Sequence, residues 1–147
     1  AMNEANFLFM GKSYNSAHTT ETKYLKMYGR KIYEFALNHV PGAMKDCLDE
    51  AGISIKDVKK VLIHQANEKM DEAIIKKFYK LYDEQVPDYV MPMSIHFLGN
   101  SSVATIPTLL DLINHGKVPN QEINQGDIVI FASVGAGMNV NAIVYRF

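Results

Sequence analysis

Residues with chemistry to offer gather in three short stretches, each at the edge of an apolar run: Ile63-His64-Gln65-Ala66-Asn67, Gly99-Asn100-Ser101-Ser102 and Ser133-Val134-Gly135-Ala136-Gly137. His64 ends an expected strand, and in open α/β sheets ligands bind beyond the carboxyl ends of the strands. Asn100 precedes an apolar segment that reads as a helix. A buried Asn amide there is a fixed hydrogen-bond donor in a locally positive field, and Gly99 lets the backbone approach a ligand closely. Small residues after a strand, as at Gly135-Ala136-Gly137, expose backbone N–H groups toward a reacting oxygen. A His donor, an Asn donor and a turn of backbone amides suit the stabilisation of negative charge on a carbonyl or enolate oxygen. Each also has a plainer reading: a core histidine, a helix cap, and a tight turn. The turn is no dinucleotide-binding fingerprint, because a strand rather than a helix follows it.

This set lacks a nucleophile. Cys47 shares the apolar stripe of an expected helix with Met44 and Leu48, where a core thiol is inert. Ser101 and Ser102 have no oriented base in the pattern, so a hydrolase triad is poorly supported. His18, His39, His64, His96 and His115 show no ligand spacing, and no metal is expected. The three stretches read as part of an active site.

The elements that must position them follow from periodicity. Asn6 to Met10 reads as a strand ending at Gly11, and Lys12 to Lys26, rich in Ser, Thr and Asn, as a loop. From Gly29, Ile32, Phe35, Ala36 and Val40 form a helical stripe that Met44, Cys47, Leu48 and Ala51 continue beyond Pro41. That predicts one kinked helix or two abutting ones, closed by Gly52. A turn at 54–57, a strand from Val58 to His64 and a helix from Met70 to about Tyr82 come next. A helix at 101–114 carries apolar residues round most of its circumference and should be buried. Asp127 to Ser133 is an apolar strand of the doubly covered kind, residues 134–137 turn the chain, and Met138 to Tyr145 is the closing strand. The order predicts an α/β layered domain with a mixed sheet.

Composition narrows the classes of function. The 147 residues suit one domain, with 48% hydrophobic and 21% charged residues. Fifteen Lys and Arg against sixteen Asp and Glu give a net charge of −1, with a pI near 6.6. That balance carries no footprint for nucleic acid or an anionic membrane. No stretch approaches the roughly twenty apolar residues of a membrane span. One cysteine rules out an internal disulfide. Eight Met and no Trp fit a cytoplasmic protein. Ala1-Met2 reads as a cloning remnant ahead of a designed start, so the chain is expected to be part of a longer protein.

Taken together, these motifs resemble those of the 3-oxoacyl-acyl-carrier-protein synthase III family. Ile63-His64-Gln65-Ala66-Asn67, Gly99-Asn100-Ser101-Ser102 with Ile106-Pro107, Gly126-Asp127, Gly135-Ala136-Gly137 and the closing Tyr145-Arg146-Phe147 match its C-terminal half in order and spacing. The likeness runs from about Met27 to Phe147, dividing the chain into 1–26 (N-terminal strand and loop) and 27–147 (synthase C-terminal domain). It implies one half of a thiolase-like fold, a C-terminal layered α/β/α domain with a mixed sheet. It places the nucleophilic Cys in an upstream N-terminal half, so that the isolated chain is expected to be inactive.

The activity implied is decarboxylative Claisen condensation of an acyl group with malonyl-acyl carrier protein, which initiates fatty acid synthesis. His64 and Asn100 match the pair that donates to the malonyl thioester oxygen. The amide of Ala136, beside Gly135, is the implied oxyanion donor. Asn67 matches a position that contacts the pantetheine arm, and Lys69 one that meets the acidic carrier protein. Where the family commonly has Phe before three glycines, this chain has Val134, Gly135, Ala136 and Gly137, so a paralogue for another acyl group is an alternative. A non-catalytic module binding acyl-thioesters or a carrier protein is a second. Implied partners are acyl carrier protein, coenzyme A thioesters (as substrates, with no cofactor), the N-terminal half of the same enzyme, and a second copy in a homodimer.

Overall fold

A computed structural model of the chain describes residues 3–147, so the reading of Ala1-Met2 falls outside the described residues. Its centre is a three-stranded sheet of β3 (Val58–Ile63), β4 (Ile128–Gly135) and β5 (Asn139–Arg146), in that order. β4 runs parallel to β3, with Val61 opposite Ile130, and antiparallel to β5, with Ala132 opposite Ala142. The sheet is therefore mixed, as its sequence pattern predicts. The apolar run of β4 has side chains on both faces to bury. Ile128, Ile130 and Ala132 meet one core with Val61 and Ile63, while Val129 meets another with Leu62.

The first core is closed by α1 (Gly29–Glu50) and α2 (Glu68–Lys80). α1 contributes Ala36, Val40, Met44 and Leu48, a ladder at four-residue spacing, and runs without a break through Pro41. It ends in a Schellman motif. The Gly52 N–H donates to the Asp49 carbonyl, the Ile53 N–H to the Leu48 carbonyl, and Gly52 takes the left-handed φ of 66° that the motif requires. α2 presents Met70, Ile74 and Phe78 to the same core. The second face is covered by α4 (Thr105–Asn114) through Leu109 and Ile113. Helices on both faces of a mixed sheet give the layered α/β/α arrangement.

Two expectations need correction. Lys12 to Lys26 is not all loop. Its end forms β2 (Tyr24–Met27), which pairs antiparallel with β1 (Leu8–Gly11), Leu8 opposite Met27. Four residues with no clean alternation, three of them exposed, leave no period-two signal to read. The apolar helix expected at 101–114 begins only at Thr105, after a 3-10 turn over Ser102–Ala104, because Ser102 takes a positive φ of 56°. Nor is it wholly buried: Thr105, Leu109 and Ile113 are, whereas Val103 is 92% exposed. α4 covers β3 and β4 but not β5, so Ile143 and Tyr145 stand exposed on the same sheet face.

Candidate active site

β3 delivers His64 to the carboxyl edge of the sheet. The strand ends at Ile63, and the His64 N–H still donates to the Ala132 carbonyl of β4 at 2.9 Å, which fixes the residue against the sheet. The side chain is half-buried. Burial pushes its pKa below the ordinary imidazole value, and a hydrogen bond with the Ser102 backbone acts weakly the other way. The ring is therefore neutral at neutral pH, with one N–H to give.

Asn100 reaches the same place along a different route. The short α3 (Ile95–Leu98) stops at Gly99, whose φ of 67° and ψ of −165° lie in a region essentially closed to other residues. The chain thus turns sharply into Asn100. The Asn100 Oδ1 accepts from the Ser102 N–H at 2.9 Å and leaves Nδ2 as the donor. Two expectations for this residue fail. Asn100 is exposed rather than buried, and it closes a local turn rather than capping α4, whose N-cap is Ala104. Asn100, Ser102 and His64 nevertheless face the same cavity.

Beyond Gly135, the third stretch is a tight hairpin. Gly135 pairs with Asn139, and Ala136, Gly137 and Met138 form the loop. Gly137 and Met138 take φ of 75° and 55°, and Met138 is buried as the anchor of the turn. The Ala136 carbonyl accepts from Asn139 Nδ2 at 3.1 Å. His64, Asn100, Ser102, Gly135 and Ala136 all line one cavity of about 510 Å3. The structure brings the three stretches together.

Asn67 and Lys69 do not line that cavity. Both are exposed at the start of α2, where Asn67 is the N-cap and its Oδ1 accepts from the Met70 N–H at 3.2 Å. Cys47 is half-buried, its thiol 3.6 Å from the Ala142 carbonyl between α1 and β5, away from the cavity. The sequence reading also passed over contributors. Leu25, from the stretch read as loop, and Met27 beside it in β2 wall the cavity, and Ile32 joins them from α1. A wider cleft of about 670 Å3, lined by Lys60, Tyr89 and Gln121, includes none of the three stretches. Its lysines are engaged: Lys56 with Glu84, Lys59 with Glu122, and Lys60 with the Tyr89 carbonyl at 2.7 Å. Of these two, the cavity holding His64 has the convergent chemistry.

The layered arrangement is part of a thiolase-like α/β fold. The full chain superposes on the beta-ketoacyl-[acyl carrier protein] synthase III of Thermus thermophilus with a TM-score of 0.79 and 25% identity, covering 43% of that chain. Residues 48–147 match the family model described as 3-oxoacyl-[acyl-carrier-protein] synthase III C terminal, and the chain belongs to that family. It is similar to the beta-ketoacyl-[acyl-carrier-protein] synthase III of Porphyra umbilicalis, 33% identical over 123 residues, which are 84% of this chain and 35% of the relative. The counterpart from Latilactobacillus sakei is 30% identical over 124 residues, again 84% and 35%. The chain thus spans about a third of the length of the curated relatives it matches.

Proposed function

We propose that this chain supplies the enolate-stabilising half of a condensing acyltransferase, which joins an acyl group to malonyl-acyl carrier protein at the start of fatty acid synthesis. The convergence of His64, Asn100 and the Gly135-Ala136 turn on one cavity carries this reading. The acyl group first transfers from a coenzyme A thioester to a Cys of an N-terminal half of the same protein. In the second step the malonyl thioester oxygen lies between His64 and Asn100 Nδ2. As CO2 leaves, the electron pair of the breaking C–C bond delocalises onto that oxygen, and both groups donate to it. Neutral donors suit this role, because they hold the charge as it develops without a proton having to move. The neutral His64 has one N–H to give to the substrate. The enolate carbon then attacks the acyl-Cys carbonyl, the Ala136 N–H donates to the resulting oxyanion, and the Cys thiolate departs.

Asn67 Nδ2 is assigned to the pantetheine arm and Lys69 to the acidic carrier protein, both at the exposed start of α2. A homodimer in the cytoplasm completes the proposal. The exposed Ile143 and Tyr145, on the sheet face that α4 leaves open, support a covering N-terminal half, since neighbouring exposed apolar groups mark an interface. The test is condensation by the full-length protein from acyl-coenzyme A and malonyl-acyl carrier protein. The expected result is a 3-oxoacyl product together with an acyl adduct on a Cys upstream of this chain. Carrier-protein binding with no product and no adduct would instead identify a non-catalytic module.

A further inference from the structure

Gln65 follows His64 directly and is fully buried, with 0% exposure. Its carboxamide is saturated. Oε1 accepts from the Ser94 N–H at 2.8 Å, the Ile95 N–H at 3.0 Å and the Ser94 hydroxyl at 3.2 Å, and Nε2 donates to the Pro92 carbonyl at 2.9 Å. The amide orientation is forced, because two of those partners are N–H groups that only donate and one is a carbonyl that only accepts. Ser94 is the N-cap of α3, yet its own side chain makes no cap bond, so Gln65 satisfies the start of that helix from another element. From there the path to Asn100 is short and stiff: one turn of α3, then Gly99 in a conformation that fixes the direction of exit.

We infer that Gln65 is a positioning residue which sets the distance between His64 and Asn100, clasping the end of β3 to the segment that carries Asn100. The inference rests on the enolate-stabilising role proposed above for the pair. No other side-chain hydrogen bond among the described residues joins the 63–67 stretch to the 92–100 stretch. With that clasp gone, Asn100 keeps its local turn with Ser102 but loses the side-chain link from the end of β3 to the start of its own segment. The loss belongs to the decarboxylation step alone, since acyl transfer to the upstream Cys uses neither donor.

The experiment compares Gln65→Met and Gln65→Glu with the unmodified full-length protein. It reads acyl-enzyme formation from acyl-coenzyme A by mass, CO2 release from malonyl-acyl carrier protein, and amide hydrogen exchange. Gln65→Met removes all four bonds and should slow CO2 release about 10- to 100-fold, the scale of an ångström-sized misplacement, with acyl-enzyme formation within about two-fold. Gln65→Glu keeps an acceptor for the three donors, loses the Pro92 bond and should fall between. Exchange should rise over 94–102 while β3 and β4 stay protected. Equal losses in both half-reactions, or CO2 release unchanged in Gln65→Met, would overturn the inference. If Gln65→Met does not fold, the same two criteria apply to Gln65→Glu. If the unmodified protein releases no CO2, the functional reading fails, and exchange decides the inference separately: unchanged protection over 94–102 would refute the clasp.

Discussion

His64 and Asn100 come from stretches 36 residues apart in sequence, yet they line the same cavity. The sequence offered both residues, because a polar His-Gln-Ala-Asn after an apolar strand and a Gly-Asn before an apolar helix are conspicuous. The exposure of Asn100 was not legible, and neither was the positive φ of Ser102, a backbone state that Ser does not advertise. Asn67 shows how one residue can have two duties. Its Oδ1 caps α2 through the Met70 N–H, leaving Nδ2 for an outside acceptor. Replacing it by Ala should cost about 1 kcal/mol of stability through the lost cap. Asn67→Asp keeps the cap oxygen while removing the donor. Denaturation should find Asn67→Asp within about 0.5 kcal/mol of the unmodified protein, and steady-state kinetics should show a raised KM for malonyl-acyl carrier protein with kcat unchanged. An unaltered KM would leave capping as the residue's whole role.

At the level of elements, periodicity captured those with a long apolar stripe. α1 and α2 bury one face each, so their 3.6-residue stripes survive in the sequence, and β3 and β4, covered on both faces, read as apolar runs. The β1–β2 hairpin and the broken start of α4 did not show, because both depend on contacts or backbone strain outside any periodic window. Asp71 breaks the stripe of α2 from inside. It is fully buried with neither carboxylate oxygen hydrogen-bonded, and burial, reinforced by nearby Glu68, pushes its pKa up to about 7. Between pH 4 and 7 the folded protein therefore holds a proton that the unfolded chain, with an ordinary carboxyl pKa of about 4, has released. Stability from this group is full below that window, falls across it and levels above it. The upper limit of the loss is about 4 kcal/mol, at about 1.4 kcal/mol per pKa unit. Urea midpoints at pH 5 and pH 7.5 should differ less in Asp71→Asn than in the unmodified protein, and an equal pH dependence would contradict the assignment. Gly99→Ala forces a side chain into a conformation that costs about 1–3 kcal/mol. The expected outcome is lost stability with a disproportionate fall in CO2 release, because the turn into Asn100 moves.

For the whole molecule, the pattern of exposure carries the same message as the length comparison. Leu25 is 64% exposed, Met27 60%, Val103 92%, Ile143 57% and Tyr145 52%, on a chain that spans about a third of its relatives. The 147-residue chain alone should bind a hydrophobic dye and associate beyond a dimer in sedimentation, and the full-length protein should bind no dye and sediment as a discrete dimer. A band well above 16.6 kDa is expected when source cells are probed with an antibody raised to this chain. These residues offer no candidate nucleophile, and the proposal places it in an N-terminal half of the protein. The central claim is that His64 and Asn100 act as one unit on the malonyl thioester. Its most direct test is CO2 release from malonyl-acyl carrier protein by full-length His64→Ala, Asn100→Ala and the double variant. Each single change should slow release about 10²- to 10³-fold, and the double variant should lose little more, as expected for groups that work together. Wild-type rates in Asn100→Ala, or in His64→Ala, would contradict the account.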